Sequence, residues 1–150
     1  PPSRILNLKK YLEKYHDVVI IGKKSPNNVH EDNIYAVPRL IDNFLGNQFF
    51  KLMVVITAFY LMFAKKIEAF VVREYYYILL LYPFVKPFRK KIIYDMHCFR
   101  YKELIADKKS KTSIVKPFEV FSHRLADSII AISQPMRADL PPEARKKCIL

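Results

Sequence analysis

The sequence predicts an α/β fold, a doubly wound parallel sheet whose strands alternate with helices. Three observations carry this expectation. Short runs rich in β-branched residues recur between helix-length stretches, and the runs are apolar on both faces, as strands covered on both sides are. No Asn-Gly or Asp-Gly pair joins consecutive runs into a hairpin. The chain has 150 residues, 51% of them hydrophobic, which suits one domain, 1–150, with its own core.

From the N-terminus, Ile5, Leu8, Leu12 and Tyr15 recur at helical spacing between Lys9, Lys10, Glu13 and Lys14, so an amphipathic helix is expected from Ser3 to Tyr15. Ser3 stands behind Pro1 and Pro2 as a cap for its first amides. Asp17 to Gly22 reads as a buried strand. The polar stretch Lys23 to Asp32, with Ser25-Pro26-Asn27-Asn28, reads as a loop, and Ile34 to Val37 as a short strand. A helix should begin after Pro38 or after Gly46, with its apolar run from Phe49 to Ala64 ending at Lys65-Lys66. At about 1.5 Å per residue this run is several ångströms short of a hydrocarbon core of roughly 30 Å, which favours a buried or interfacial helix over a membrane-spanning one.

Ala69 to Val72 is the next strand, followed by Arg73-Glu74, and Tyr75 to Phe84 should be a helix cut short by Pro83 and Pro87. Lys91 to His97 reads as a strand and its exit, Tyr101 to Ala106 as a helix, and Lys108 to Thr112 as a solvated basic loop. Val115 to Ala126 is expected to be a helix with Phe118, Phe121 and Leu125 along one face and Pro117 tolerated in its first turn. Asp127 to Ser133 reads as a strand, Pro135 to Leu140 as a short helix, and Cys148 to Leu150 as the opening of a strand. This alternation is Rossmann-like, so ligands are sought beyond the carboxyl ends of the strands.

The formal net charge of +12 points to an anionic partner. With two glycines in all, Gly22 and Gly46, neither a GxxxxGK[ST] phosphate loop nor a GxGxxG dinucleotide turn is present. Cys98 and Cys148 are far apart with no CxxC pair, which speaks against a disulfide scaffold or a zinc knuckle and favours free thiols in a reducing cytosol. Pro1-Pro2-Ser3-Arg4 lacks the pattern of a secretion signal, so a cytoplasmic location is expected. Nucleic acid is disfavoured as a partner, because no ribonucleoprotein motif, zinc-finger spacing or basic zipper accompanies the 14% aromatic content.

In chain order the strand exits offer Gly22-Lys23-Lys24, Arg73-Glu74, Asp95-Met96-His97 and Ser133-Gln134. The pattern strand-Asp95-x-His97, then Glu119 in a following helix, then Arg124-x-Ala126-Asp127-x-Ile129-Ile130-Ala131-x-Ser133, resembles the N-terminal, acceptor-side domain of retaining, family-four glycosyltransferases of the GT-B type. The opening, Pro1-Pro2, a helix and Asp17-Val18-Val19-Ile20, is similar to the stretch after that domain's first strand. The resemblance therefore implies a further strand and glycine-rich loop before Pro1, and a donor-binding C-terminal domain after Leu150.

The resemblance implies a hexosyltransferase-like enzyme that moves a sugar from a nucleotide-sugar donor to a hydroxyl of a sugar, polysaccharide or lipid-linked acceptor. It also implies that this domain alone is inactive and that its own C-terminal domain is a partner. No metal or other cofactor is expected, since no DxD motif is present and basic side chains with helix dipoles would hold the diphosphate. His97 is the candidate catalytic residue, an imidazole at a strand exit facing the interdomain cleft; its plainer role is to cap the next helix or satisfy a carbonyl. Asp95, two residues earlier on the same strand face, either orients His97, bonds loop amides or is a structural carboxylate. Arg73 and Glu74 form either a cleft pair, with the guanidinium meeting an anionic acceptor or phosphate, or an ordinary surface ion pair. Ser133 either hydrogen-bonds a ligand or caps the helix at Pro135. Glu119 and Asp127 read as structural, bonding to backbone or to Arg124, and His16, His30 and His123 as surface histidines.

The run Phe49 to Ala64 with Lys65-Lys66, Lys86 to Lys91 and Lys108 to Lys111 either docks peripherally on an anionic inner-membrane face carrying a lipid-linked acceptor or is a helix packed on the sheet with solvated lysine faces; the packed helix is the favoured reading of the run, and the basic surface fits both. Two readings of other classes stand beside the enzyme: a non-catalytic Rossmann-like binding module, and a basic protein of membrane surfaces or nucleic acids whose binding weakens steeply with salt.

Overall fold

A computed structural model describes residues 3–23, 34–37, 44–107 and 112–149. The chain divides into two compact units, Pro1–Ala58 and Phe59–Leu150. The loop expected around Ser25 to Asn28, His30 and the basic stretch Lys108 to Lys111 lie outside the described residues.

In the first unit, helix α1 spans Ser3–Leu12. It stops one turn earlier than its apolar spacing suggests, because the amides of Tyr15 and His16 both turn back to the Leu12 carbonyl. Lys9 and Glu13, one helical turn apart, pair at 3.2 Å. Strand β1, Ile20–Lys23, runs parallel to β2, Ile34–Val37, with Ile20 opposite Ile34 and Lys23 opposite Val37. Asp17 to Val19, expected in that strand, lead into it instead.

Helix α2 spans Phe44–Ala64 and includes Gly46. Its 21 residues make it about 31 Å long, so the sequence reading of an apolar run too short to cross a membrane underestimates it. The stretch Leu45–Ala64 is long and apolar enough to do so by length and composition, and 22% of its apolar 18-residue window is buried.

The second unit is built on one parallel sheet in the order β3-β4-β5-β6. Strand β3 is Ala69–Val72, β4 Lys91–Met96, β5 Ser128–Ala131 and β6 Cys148–Ile149. Ala69 lies opposite Lys91, Ile93 opposite Ser128 and Ile129 opposite Cys148. Helix α3, Tyr75–Val85, joins β3 to β4 through a short 3-10 turn, Lys86–Phe88. Helices α4, Arg100–Ala106, and α5, Thr112–Leu125, join β4 to β5, and α6, Gln134–Asp139, and α7, Pro142–Lys146, join β5 to β6. The expected α/β alternation with parallel strands is thus present. Pro83 does not end α3, which runs two residues past it to Val85. A proline this close to a helix end removes one backbone bond and leaves little helix beyond it to disrupt.

Helix α3 packs on β4 and α5, and α5 also packs on α4 and α7. Ile78, Leu81 and Val85 of α3, Ile92 and Met96 of β4, and Ile129 of β5 are buried together with Leu140 and Ala144. Each such large side chain contributes roughly 1.5–3 kcal/mol by leaving water.

The face of α5 is a correction. Phe118 and Phe121 are 52% exposed, while Glu119, Ser122 and His123 are fully buried. Hydrophobic spacing chose the wrong side because each polar group on the buried side is accommodated by its neighbours. The Ser122 hydroxyl donates to the Glu119 carbonyl at 2.7 Å, and the Glu119 carboxylate accepts from the amides of Arg100 and Tyr101. His123 is therefore not a surface residue. Its ring stacks on Tyr94 at 5.6 Å and meets Phe99 edge-on at 5.9 Å, and neither ring nitrogen has a hydrogen-bond partner. Burial pushes the imidazole pKa down from 6.5 to about 4.

An unfolded chain takes up a proton at His123 near pH 6.5, whereas the folded chain resists it until about pH 4. The stability contributed by neutral His123 is thus complete above pH 6.5 and is lost as pH falls toward 4, by on the order of 3 kcal/mol in total. His123→Leu should be at least as stable at pH 7, since it removes two unpaired buried nitrogens, and should lose less stability over that window. Thermal unfolding of both chains between pH 7 and pH 4 checks this; equal slopes would contradict it.

Candidate functional site

Parallel strands end at one edge of their sheet, and in the second unit the exits of β3 and β4 adjoin. Val72 lies opposite Tyr94, so Arg73 leaves β3 beside Asp95, and His97 follows two residues later, just past the end of β4. Asp95 and His97 fall on the same side of the strand by its two-residue period. The Arg73 Nε donates a hydrogen bond to His97 Nε2 at 2.6 Å, and Asp95 Oδ2 lies 3.3 Å from the same nitrogen. Asp95 is 2% exposed and the His97 side chain 25% exposed, so the carboxylate is covered while the imidazole reaches the surface.

The two neighbours make opposite demands on Nε2. As an acceptor from the guanidinium it carries no proton, and to donate to the carboxylate it must carry one. Asp95 lies within contact distance of His97, a geometry shared by an orienting carboxylate and a structural one. For Arg73, the contact found is His97, where the sequence suggested a pairing with Glu74.

Ser133 stands at the exit of β5, two residues beyond Ala131, which lies opposite Met96. Its hydroxyl accepts from the Met136 amide at 3.4 Å and caps α6, with Pro135 at the start of that helix. Cys98, beside His97, has its thiol pushed up to about 12 by burial, helped by a hydrogen bond to Glu103. It therefore stays a thiol at neutral pH.

Glu119 holds the chain just beyond His97. Its Oε1 accepts from the Arg100 amide at 2.8 Å and its Oε2 from the Tyr101 amide at 2.9 Å, so one buried carboxylate satisfies two free amides at the start of α4. Burial raises its pKa above the usual carboxylate range, against the two amides, which lower it. Only Cys98 and Phe99 separate His97 from α4, so this anchor also limits where His97 can stand.

Asp127 sits at the other edge of the sheet. Burial would raise its carboxyl, but Lys86, at 2.5 and 2.6 Å, and the Ile92 amide, at 2.7 Å, bring it below the ordinary value. Arg124 bonds to neither Glu119 nor Asp127 as the sequence reading allowed; it meets Glu143 at 3.6 Å on the surface. The reason is geometric: Glu119 faces α4 from the buried side of α5, and Arg124 points outward.

Sequence reasoning missed the tyrosines. Tyr75 and Tyr76 open α3 directly after Arg73-Glu74, and burial raises both phenols above their ordinary pKa, so they remain neutral hydrogen-bonding groups at the same edge. The signal was a Tyr-Tyr-Tyr run immediately after a strand exit. Among the described residues, no three His, Cys, Asp or Glu side chains group as a metal site. No known family model matches the chain, and no curated protein is significantly similar to it in sequence.

Glu119→Ala strips both α4 amides of their acceptor inside the protein, and an expected loss of about 2–4 kcal/mol follows. Glu119→Gln retains an accepting oxygen but turns an NH2 toward the second amide, so it should fall between. Chemical denaturation of the three chains measures the order; a Gln variant weaker than the Ala variant would contradict it.

Proposed function

We propose that this chain is the N-terminal, acceptor-side domain of a retaining glycosyltransferase, one half of a GT-B architecture with a doubly wound sheet. The observation that supports this is the Arg73, His97 and Asp95 cluster at the adjoining exits of β3 and β4, where the expected ligand edge of an α/β sheet lies. The reaction breaks the bond between the anomeric carbon and the diphosphate oxygen of a nucleotide sugar. The acceptor hydroxyl oxygen forms the new bond to that carbon, and its proton passes to the departing diphosphate.

His97, partly exposed and backed by a buried carboxylate, orients a hydroxyl of the transferred sugar or of the acceptor. Arg73 brings positive charge within bonding distance of the same imidazole, which suits an acceptor or leaving group that is anionic. The neutral phenols of Tyr75 and Tyr76 and the Ser133 hydroxyl add hydrogen-bonding groups suited to sugar hydroxyls. The donor nucleotide is assigned to a C-terminal partner domain, and the location to the cytoplasm.

The test uses the full-length gene product, a panel of nucleotide sugars and release of nucleoside diphosphate as the readout. His97→Ala should lower turnover by about 100-fold while the melting temperature stays close to that of the parent. Arg73→Lys, which keeps the charge and loses the planar fork, should fall between the two. Undiminished turnover by His97→Ala, or no sugar transfer by the parent with any donor, overturns the assignment.

A further inference from the structure

A second feature of the Phe59–Leu150 unit lies at the amino edge of its sheet, away from the exits of β3 and β4. Phe59 and Phe63, in the last turns of α2, meet Phe84 of α3 and Phe88 of the 3-10 turn. The ring centroids are 5.2 Å apart for Phe59 and Phe63, 5.9 Å for Phe59 and Phe84, and 5.1 Å for Phe63 and Phe88. In the core such a cluster would be covered. Here Phe63 is 53%, Phe84 48% and Phe88 45% exposed. A contiguous exposed aromatic patch marks a binding surface.

Cations border this patch. Lys65 and Lys66 follow α2 directly, and Arg89, Lys90 and Lys91 follow Phe88. The two turns are held side by side, because the Lys91 amide donates to the Glu68 carbonyl at 3.0 Å and Ala69 pairs with Lys91. Lys66 and Arg89 both have left-handed backbone, with φ of 52° and 57°, a region that favours glycine or asparagine. At both positions the chain carries a cation instead.

We propose that this patch docks the protein on the surface of an anionic lipid bilayer, with the phenylalanines at the boundary between headgroups and acyl chains and the cations at the phosphates. The proposal stands on the patch and not on the sugar-transfer reading. Charge complementarity selects the partner. A second copy of the chain carries the same +12 and would be repelled. A protein partner is less suited, since lysine is depleted at protein interfaces and four of the five bordering cations are lysines. Lysine stems do suit a membrane surface, where they extend along apolar groups and place the charge at the headgroups. Nucleic acid asks for open ring faces on which bases stack, whereas Phe63 and Phe88 stand edge to face at 89°.

Strand β4 has six residues and is about 20 Å long, so the Arg73 and His97 cluster would stand roughly that far above the docked edge. Docking and the exit cluster are therefore separable in experiment.

The test is flotation of the full-length protein with vesicles of phosphatidylcholine, with and without phosphatidylglycerol. Binding should require the anionic lipid and weaken with salt. Phe63→Ser with Phe88→Ser should lower the bound fraction about tenfold at unchanged net charge. Should that variant not fold, Phe88→Trp replaces it as the reporter, read as the difference in emission between the variant and its parent, to which the 150 residues contribute no other tryptophan. Its emission should shift to the blue on adding anionic vesicles and not on adding single-stranded RNA or an acidic polypeptide. His97→Ala should float like the parent, so failure of the sugar-transfer reading leaves this result untouched. Undiminished flotation of the folded serine variant, an unshifted emission from the Phe88→Trp variant, a shift produced only by RNA or polypeptide, or protein retained on the vesicles through an alkaline carbonate wash would each overturn surface docking.

Discussion

The parallel pairing of Ala69–Val72 with Lys91–Tyr94 is the constraint on which the second unit depends. Parallel strands begin at one edge and end at the other, so a single register decides the company of everything before and after them. Beyond the pair it sets Arg73 next to Asp95 and within reach of His97. Ahead of the pair it joins the turn after α2 to the turn after Phe88 through the Lys91 amide. A slip of one residue would turn every β3 side chain to the other face of the sheet and part both groups at once. Phe70 and Val72, buried while Ala69 and Val71 are exposed, oppose that slip.

Around this pair the core makes unequal use of polar groups. Glu119 is buried with an amide on each oxygen, and the arrangement starts α4 where α4 must start if His97 is to stand at the exit. His123, one turn along the same helix, is buried with no partner and is accommodated by rings alone. The first is a carboxylate at a helix amino end, where the free amides reward it. The second is tolerated because the imidazole gives up its proton and behaves as a flat aromatic, and it makes the core sensitive to acid.

The alternation of strands and helices was legible because strand runs such as Ile34–Val37 and Ala69–Val72 are apolar on both faces and short, a pattern that local composition displays. The exits that flank Asp95 and His97 followed from those strands. What was not legible depended on contacts distant in sequence. The buried face of α5 is polar because amides 18 and 19 residues away supply its partners, and periodicity counts only apolar residues. The extent of α2 was underestimated because Gly46 reads as a boundary, although the helix starts at Phe44 and runs through it. Arg73 reads as the partner of its neighbour Glu74 until β4 brings His97 beside it from 24 residues away.

The net charge of the sequence also conceals where its cations act. Several carboxylates are taken up by internal tasks: Glu119 by backbone amides, Asp127 by Lys86 and the Ile92 amide, Glu103 by Arg100, Asp139 by Lys102. Of these, Asp127 lies at the amino edge of the sheet, where its charge is matched by Lys86 beside the turn at Arg89 to Lys91, and Glu103 and Asp139 are matched by cations at the surface. Lys65, Lys66, Arg89, Lys90 and Lys91, part of the surplus of +12, border the exposed phenylalanines, with the Glu68 carboxylate as the acidic group between them. Positive charge around apolar rings has little to offer another basic protein and much to offer a surface that is anionic outside and apolar beneath. The same sheet then presents hydrogen-bonding groups at its carboxyl edge and exposed phenylalanines bordered by cations at its amino edge, with the length of β4 keeping the two chemistries apart.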